Sequence, residues 1–301
     1  MSAERGPIFI GGLARSGKTP VRMVLGAHPD IAMTRRTYLW DRFFGRFGDL
    51  SDPWNLERCL EALLADRAVA RLSPDPDRIR RELLRGEVTY ARLFGMLHRH
   101  HAEALGKRRW GEQLGFVERF ADPIFEAFPS ARMIHMIRDP RTHAFETGRR
   151  RLGSVGWRVA RWLTSAELAE RNRRRYPGRY RVVRYESLAS APRDTIRDLC
   201  AFLREELVPD MERTLATIAF GPGDTARPEP ILPAVSASAL AFVDRYAARD
   251  LRAFDYPAAA GGWLTTRDRL SFALLERPLN RASMAAWRLL EGRAMTRQVR
   301  G

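Results

Sequence analysis

Pro7-Ile8-Phe9-Ile10-Gly11-Gly12-Leu13-Ala14-Arg15-Ser16-Gly17-Lys18-Thr19 carries the pattern G-x-x-x-x-G-K-[ST] from Gly12 to Thr19, directly after an apolar run. Ile8 to Ile10 read as a buried strand that ends at a pair of glycines. Val21, Val24 and Leu25 then recur at helical spacing, and the helix they predict over Val21–Ala27 stops before His28-Pro29. Strand, glycine loop and helix in that order are the setting in which such a loop cradles an anion. The glycines let backbone N–H groups turn inward, and the helix N-terminus adds partial positive charge. Lys18 adds a point charge and Thr19 a hydroxyl suited to a phosphate oxygen or a metal. Arg15, Ser16, Gly17, Lys18 and Thr19 are therefore the first candidate binding residues.

Reading outward, the stretch from Thr34 to Lys107 is mostly helical in pattern, broken at Ser51-Asp52-Pro53 and Ser73-Pro74-Asp75-Pro76. Arg109–Gln113 is a short strand candidate, Pro123–Phe128 a helix, and Ala131–Ile137 a strand ending at Arg138-Asp139-Pro140. Tyr180–Tyr185 alternates as a strand does, and a helix follows over Arg193–Leu203. Strands separated by helical segments predict an α/β class: a P-loop, three-layer fold with a central parallel sheet flanked by helices. Gly221-Pro222-Gly223 and Pro228-Glu229-Pro230 mark an irregular stretch suited to a lid or substrate loop.

Of 301 residues, 45% are hydrophobic and 29% charged, a globular balance that excludes a disordered chain. No run approaches the roughly 18 uncharged apolar residues of a membrane span, and the short polar start gives no signal peptide. The expected location is the cytoplasm. Cys59 and Cys200 are too few for a disulfide framework or a cysteine metal cage. The net charge is +16, and among the 52 basic residues only Lys18 and Lys107 are lysines. Between Arg138 and Arg184 stand 14 arginines against four acids. That concentration favours a phosphate- or sulfate-bearing ligand, an acidic acceptor or an anionic surface. Nucleic acid is not an expected partner, because no recognition motif or interleaved aromatics accompany the charge. Hydrolase patterns are absent: there is no Gly-x-Ser-x-Gly and no His-Glu-x-x-His.

Which anion the loop holds is suggested by a resemblance. Arg15-Ser16-Gly17-Lys18-Thr19, with Arg22 and His28-Pro29-Asp30-Ile31, is similar to the first signature of the bacterial sulfotransferases. Phe128 to Arg141 resembles their second, and Arg184-Tyr185-Glu186-Ser187-Leu188 a third element. Together the three span residues 8 to about 203 in the family's order. The resemblance implies transfer of a sulfuryl group from 3′-phosphoadenosine-5′-phosphosulfate (PAPS) to a hydroxyl, less readily an amine, of a small-molecule, carbohydrate or lipid acceptor. It implies that Ser16, Gly17 and Thr19 hold the 5′ phosphate and Arg138 the 3′-phosphate. Tyr185 lines the adenine pocket, and Arg15 and Lys18 stabilise the transferring group. No metal is expected, since protein cations take its place. Trp110-Gly111-Glu112 resembles an element whose glutamate is the general base, with a structural ion pair to Arg15 or a neighbouring arginine as the alternative for Glu112. Thr37, Tyr38 and Trp40 are acceptor-pocket candidates by position.

The sequence departs from the family pattern at three places. Lys18 replaces a threonine, Gln113-Leu114-Gly115 replaces lysine-threonine-proline, and Glu146 stands where a serine usually meets the 3′-phosphate. Arg149, Arg150 and Arg151 are placed to offset that carboxylate. Lys18-Thr19, with Asp139 after an apolar strand, keeps a second reading in view: a small-molecule kinase using ATP and magnesium. His98, His100 and His101 read as a solvated helix face rather than a metal site, His28 as structural and His135 as a hydrogen-bonded core residue. The domain proper is expected over 1–257. Residues 258–301 form a basic helical tail in which Leu279, Ala282, Ala286, Leu289 and Leu290 share a face. Such a stripe packs on its own domain, on a second subunit in a homodimer, or on an anionic bilayer at the inner membrane face.

Overall fold

A computed structural model describes residues 5–141, 155–218, 220, 237–257 and 263–282. Among these, five strands form one parallel sheet: β1 (Ile8–Gly11), β2 (Ile31–Arg35), β3 (Arg109–Gln113), β4 (Arg132–Ile137) and β5 (Tyr180–Arg184). Their order is β2-β3-β1-β4-β5. Every residue of β1 is buried, as a central strand with both faces covered requires. Its register is fixed by Phe9 opposite Glu112 on one side and Met133 on the other. The chain runs from β1 to one edge, returns through β3 and then crosses to β4, so the strand order reverses at β1. The crevice beyond the carboxyl end of β1 is therefore the place where folds of this kind bind ligands.

Alternation along β1 sends its side chains to two cores. Phe9 joins the core formed with α2 (Pro53–Ala65), α3 (Arg67–Ala70), α4 (Pro76–Leu83), α5 (Tyr90–Ala104) and α6 (Ala121–Ala127). Ile8 and Ile10 face α1 (Lys18–Gly26) with residues of α8 (Tyr185–Ser190), α9 (Pro192–Leu203) and α10 (Pro209–Ala216). Each such side chain contributes about 1.5–3 kcal/mol by burial. A third cluster joins α7 (Val155–Arg175) and α11 (Ala237–Ala253) over the carboxyl ends of the strands.

The three-layer expectation holds, while the helical reading from Thr34 onward misses β2. Ile31-Ala32-Met33-Thr34-Arg35 is too short and too irregular in polarity to read as a strand, and its pairing with β3 over Ile31–Arg35 supplies the order. The two proline-marked breaks in the helical stretch are helix starts. The Asp52 side chain accepts from the Trp54 and Asn55 N–H groups ahead of α2, and Asp75 does the same for α4, each with proline at the first helical position. Past α11, α12 (Thr266–Ser271) leads to Phe272, which is buried against Phe242 and Tyr246. Leu279 and Ala282 are exposed. Ala286, Leu289 and Leu290 of the expected stripe, like the 221–230 stretch, lie outside the described residues. Among the described residues no helix is long and apolar enough to cross a membrane.

At the amino ends of the strands, Glu205 is buried between Arg109 (2.7 Å) and Arg5 (2.5 Å), tying the end of α9 to β3. Removing one partner of a buried ion pair costs about 3–5 kcal/mol. Glu205→Ala is therefore expected to lower unfolding stability by about that amount, read as a shift of the urea midpoint at unchanged slope.

Candidate functional site

The loop after β1 turns on two left-handed glycines. Gly12 has φ 112° and a Cβ there would collide with the Met136 carbonyl oxygen; Gly17 has φ 88° and a Cβ would lie 2.7 Å from the Tyr185 ring. Arg15 between them also has positive φ, 61°. Gly17 caps α1 with no side chain accepting from the first turn, and that turn carries no acid. Its first-turn N–H groups thus meet no side-chain cap at a positively polarised helix end, the arrangement that receives an anion. Arg15 and Thr19 are exposed and Ser16 is buried, its hydroxyl donating to the Leu13 carbonyl at 2.8 Å. Lys18 is buried too, and its ammonium donates to the carbonyls of Gly12 (2.8 Å) and Leu13.

The end of β4 closes the other side. Arg138 is buried, its guanidinium 4.2 Å from the centre of the Tyr185 ring and its Nη1 donating to the Arg15 carbonyl at 3.2 Å. Trp162 of α7 fixes the backbone there, its indole N–H donating to the Arg138 carbonyl at 2.9 Å. The structure therefore brings Arg15, Ser16, Gly17, Lys18, Arg138 and Tyr185 together at the reversal point of the sheet.

Glu112 projects from β3 next to β1 and is fully buried. Its Oε1 accepts from the Thr37 N–H at 2.8 Å and the Thr37 hydroxyl at 2.5 Å. Its Oε2 and the His98 Nε2 face each other at 3.6 Å, beyond hydrogen-bond length, and both are buried atoms without a hydrogen-bond partner among the described residues. Burial alone would raise the pKa of this carboxyl. His98 and the two Thr37 donors outweigh it and hold the group below its ordinary value. The partners of Glu112 are thus Thr37 and His98, not the arginines considered from the sequence. Thr37 belongs to the site, whereas Trp40 is 1% exposed among Phe44, Phe94 and Phe120 and serves the core.

A family model described as the sulfotransferase family matches residues 7–210. The chain belongs to the sulfotransferase family. Among solved structures it is similar to the sulfotransferase domain of an olefin synthase from Synechococcus PCC 7002, at 19% identity and TM-score 0.51, over 81% of this chain and 96% of that one. It is also similar to a sulfotransferase from Alicyclobacillus acidocaldarius (19% identity, TM-score 0.46, 82% and 93% covered). A third is sulfotransferase STF9 from Mycobacterium avium (16% identity, TM-score 0.49, 85% and 78% covered). The likeness to the first bears on the fold alone. No curated protein matches the sequence.

Within this sulfotransferase, one departure from the family pattern has a local answer. Gln113, in place of a lysine, is buried and accepts from the Nε of Arg22 at 3.2 Å, so a cation from α1 stands beside it. Asp139, which the kinase reading aims at a metal, takes both Nε and Nη2 of Arg141 on its carboxylate, at 2.6–3.0 Å. Glu146, Thr147 and Arg149 to Arg151 lie outside the described residues. Burial pushes the Cys59 thiol up to about 12 and the Cys200 thiol up to about 11, so neither is a nucleophile near neutral pH.

The histidines correct the sequence reading in part. His135 is a hydrogen-bonded core residue as expected, bonded to the Tyr180 hydroxyl at 2.6 Å and the Ser165 hydroxyl at 2.9 Å. His28 is structural, its Nδ1 accepting from the Asp30 N–H at 3.1 Å. His98 and His100, however, are buried rather than solvated. His98 stacks on Trp110 with ring centres 4.6 Å apart, and His100 faces Glu82 at 3.0 Å. Both faces of α5 are covered, which helical spacing alone does not reveal. Glu118 is a residue that no motif marks. It is fully buried, accepts the Gly12 N–H at 2.9 Å and lies 3.7 Å from His135 Nε2.

Glu118→Ala would leave the Gly12 N–H without an acceptor, and a loss of about 1–3 kcal/mol is expected for each donor so orphaned. Burial lowers the His135 pKa more than Glu118 raises it, with Lys18 adding to the lowering; His101 is lowered by burial and by His98. The unfolded chain therefore binds these protons first. The stability is present above about pH 6.5 and declines as pH falls below it. Urea midpoints are expected to drop between pH 7 and 5, and to drop less in His135→Gln.

Proposed function

We propose that the protein transfers the sulfuryl group of 3′-phosphoadenosine-5′-phosphosulfate to an acceptor hydroxyl, rather than an amine, with Glu112 as general base. The observation that carries this reading is the Oε2 of Glu112: a buried carboxylate oxygen with no hydrogen-bond partner among the described residues, on the strand next to the anion loop. Thr37 fixes the other oxygen, so Oε2 is held in a defined position facing His98 at 3.6 Å. Held below its ordinary pKa by His98 and the Thr37 donors, the carboxyl is in the ionised form that a base requires, at a cost in basicity.

The remaining roles are those that the family resemblance implies. Ser16, Gly17 and Thr19, with the first N–H groups of α1, receive the 5′ phosphate. Arg138 clamps the 3′-phosphate with a forked pair of hydrogen bonds, and Tyr185, whose ring already carries the Arg138 guanidinium, borders the adenine. As the acceptor oxygen bonds to sulfur, the bond from sulfur to the 5′-phosphate oxygen breaks and Glu112 takes the hydroxyl proton. Arg15 and Lys18 balance the charge that gathers on the leaving oxygen. Preorganised donors at such a position are worth about 2.7–4 kcal/mol each. The acceptor is a small molecule, a carbohydrate or a lipid hydroxyl, and the reaction as drawn takes its positive charge from these side chains.

Calorimetric titration with 3′,5′-adenosine bisphosphate tests the donor site. Tight binding that is indifferent to magnesium and weakened about 100-fold or more by Arg138→Ala is expected, about 2.8 kcal/mol at 1.4 kcal/mol per factor of ten. Preference for ADP with magnesium would overturn the reading in favour of the kinase. Glu112→Gln is expected to keep bisphosphate affinity while lowering kcat by about 10²–10⁴.

A further inference from the structure

Beside the carboxyl end of β2 a cleft of about 470 Å³ is lined by Arg35, Arg36, Tyr38, Arg42, Arg67 and Arg71. Its one carboxylate, Asp66, is already engaged. It caps α3 through the N–H groups of Ala68 and Val69 and pairs with Arg42 at 2.8 Å. Arg42 also lies over the Tyr38 ring, 4.2 Å from its centre. Arg71 donates to the carbonyls of Arg35 and Arg36 at 3.0 and 3.1 Å, which turns a second guanidinium toward the same space. The guanidinium groups of Arg35, Arg36 and Arg67 make no hydrogen bond or ion pair among the described residues.

Several other arginines on the described surface meet a carboxylate instead. Arg78 meets Glu82 and Glu103, Arg80 meets Glu57, Arg108 meets Asp30 and Arg193 meets Glu212. Like charges gathered in a concave site and exceeding their counter-ions focus a positive field and select an anion. Guanidinium forks match the paired oxygens of carboxylate, phosphate and sulfate groups. The cleft also has a fixed relation to the proposed base, since Thr37, flanked by Arg36 and Tyr38, donates both its N–H and its hydroxyl to Glu112. Thr37 thus joins the backbone at the cleft's edge to the proposed base.

We infer that this cleft binds an anionic group of the acceptor, a carboxylate, phosphate ester or sulfate ester, so that the substrates are acidic hydroxyl compounds. The inference rests on the sulfotransferase reading for the meaning of the anion, and its test is separate. The full chain is first saturated with 3′,5′-adenosine bisphosphate, which fills the loop, and then titrated with inorganic pyrophosphate in a calorimeter. Binding is expected, weakened at least tenfold in the double variant Arg35→Ala/Arg67→Ala. Both side chains are exposed and without a bonded partner, so the fold is kept. Arg267→Ala/Arg269→Ala removes the same charge from exposed positions on α12 and is expected to change nothing. Absence of pyrophosphate binding to the saturated protein, or equal weakening by the two pairs, would overturn the cleft. If the bisphosphate itself does not bind, the donor assignment falls, and the difference between the two pairs measured on the protein alone still decides the cleft.

Discussion

The hydrogen bond from the Gly12 N–H to the buried carboxylate of Glu118, 2.9 Å long, sets the conditions for everything around the anion loop. A carboxylate removed from water is expensive unless its oxygens are matched by donors. Here the match is distributed. Gly12, following β1, and Ser165 of α7 donate to the two carboxylate oxygens and His135 of β4 lies 3.7 Å away, while Asn172 of α7 donates to the Glu118 backbone carbonyl on the connection after β3. One side chain thus joins elements far apart in sequence directly under the loop. The Gly12 N–H is spent on Glu118 and the Ser16 N–H on the Leu13 carbonyl, so neither faces outward for a ligand.

Much of the fold was legible because its signals are local. An apolar tripeptide before Gly12, a helix after Thr19 and proline behind aspartate at Asp52 and Asp75 each declare themselves within a few residues. Of the candidate site, the loop coincided with those signals, whereas Arg138, Tyr185 and Glu112 were singled out only through the family resemblance. What the sequence concealed is what topology assembles. Thr37 and Glu112 are 75 residues apart and Gly12 and Glu118 are 106 apart, so no spacing rule relates them. Helical periodicity placed His98 on a face of α5 without saying that β3 covers that face, where Trp110 stacks on the imidazole. β2 lacks a period of its own and is defined by its neighbour.

The arginine excess also resolves into different kinds of work. Some guanidinium groups pair with acids on the surface, where each pair contributes little. Others span buried junctions, as Arg109 does beneath the sheet, or bind backbone carbonyls, as Arg92 does with those of Glu82, Leu83 and Glu87. A planar fork suits these divided targets. Points where carbonyl oxygens converge from several directions suit a compact ammonium instead, and the two lysines occupy such points. Lys18 serves the Gly12 and Leu13 carbonyls, and Lys107 serves those of Gly26, His28 and Ile31 at 2.8, 3.0 and 2.9 Å.

That use of lysine has a consequence for the chemistry this protein can undergo. Each ε-amino group is engaged on backbone oxygens, and burial lowers the Lys107 pKa while Lys18 is 5% exposed. Acylation of either would have to pull an amine away from carbonyls that shape the loop or the turn into β2. Despite a charge of +16, the described surface offers acetylating enzymes, amine-directed crosslinkers and lysine-specific proteases almost nothing to attack, and its positive charge is of a kind such modification does not erase.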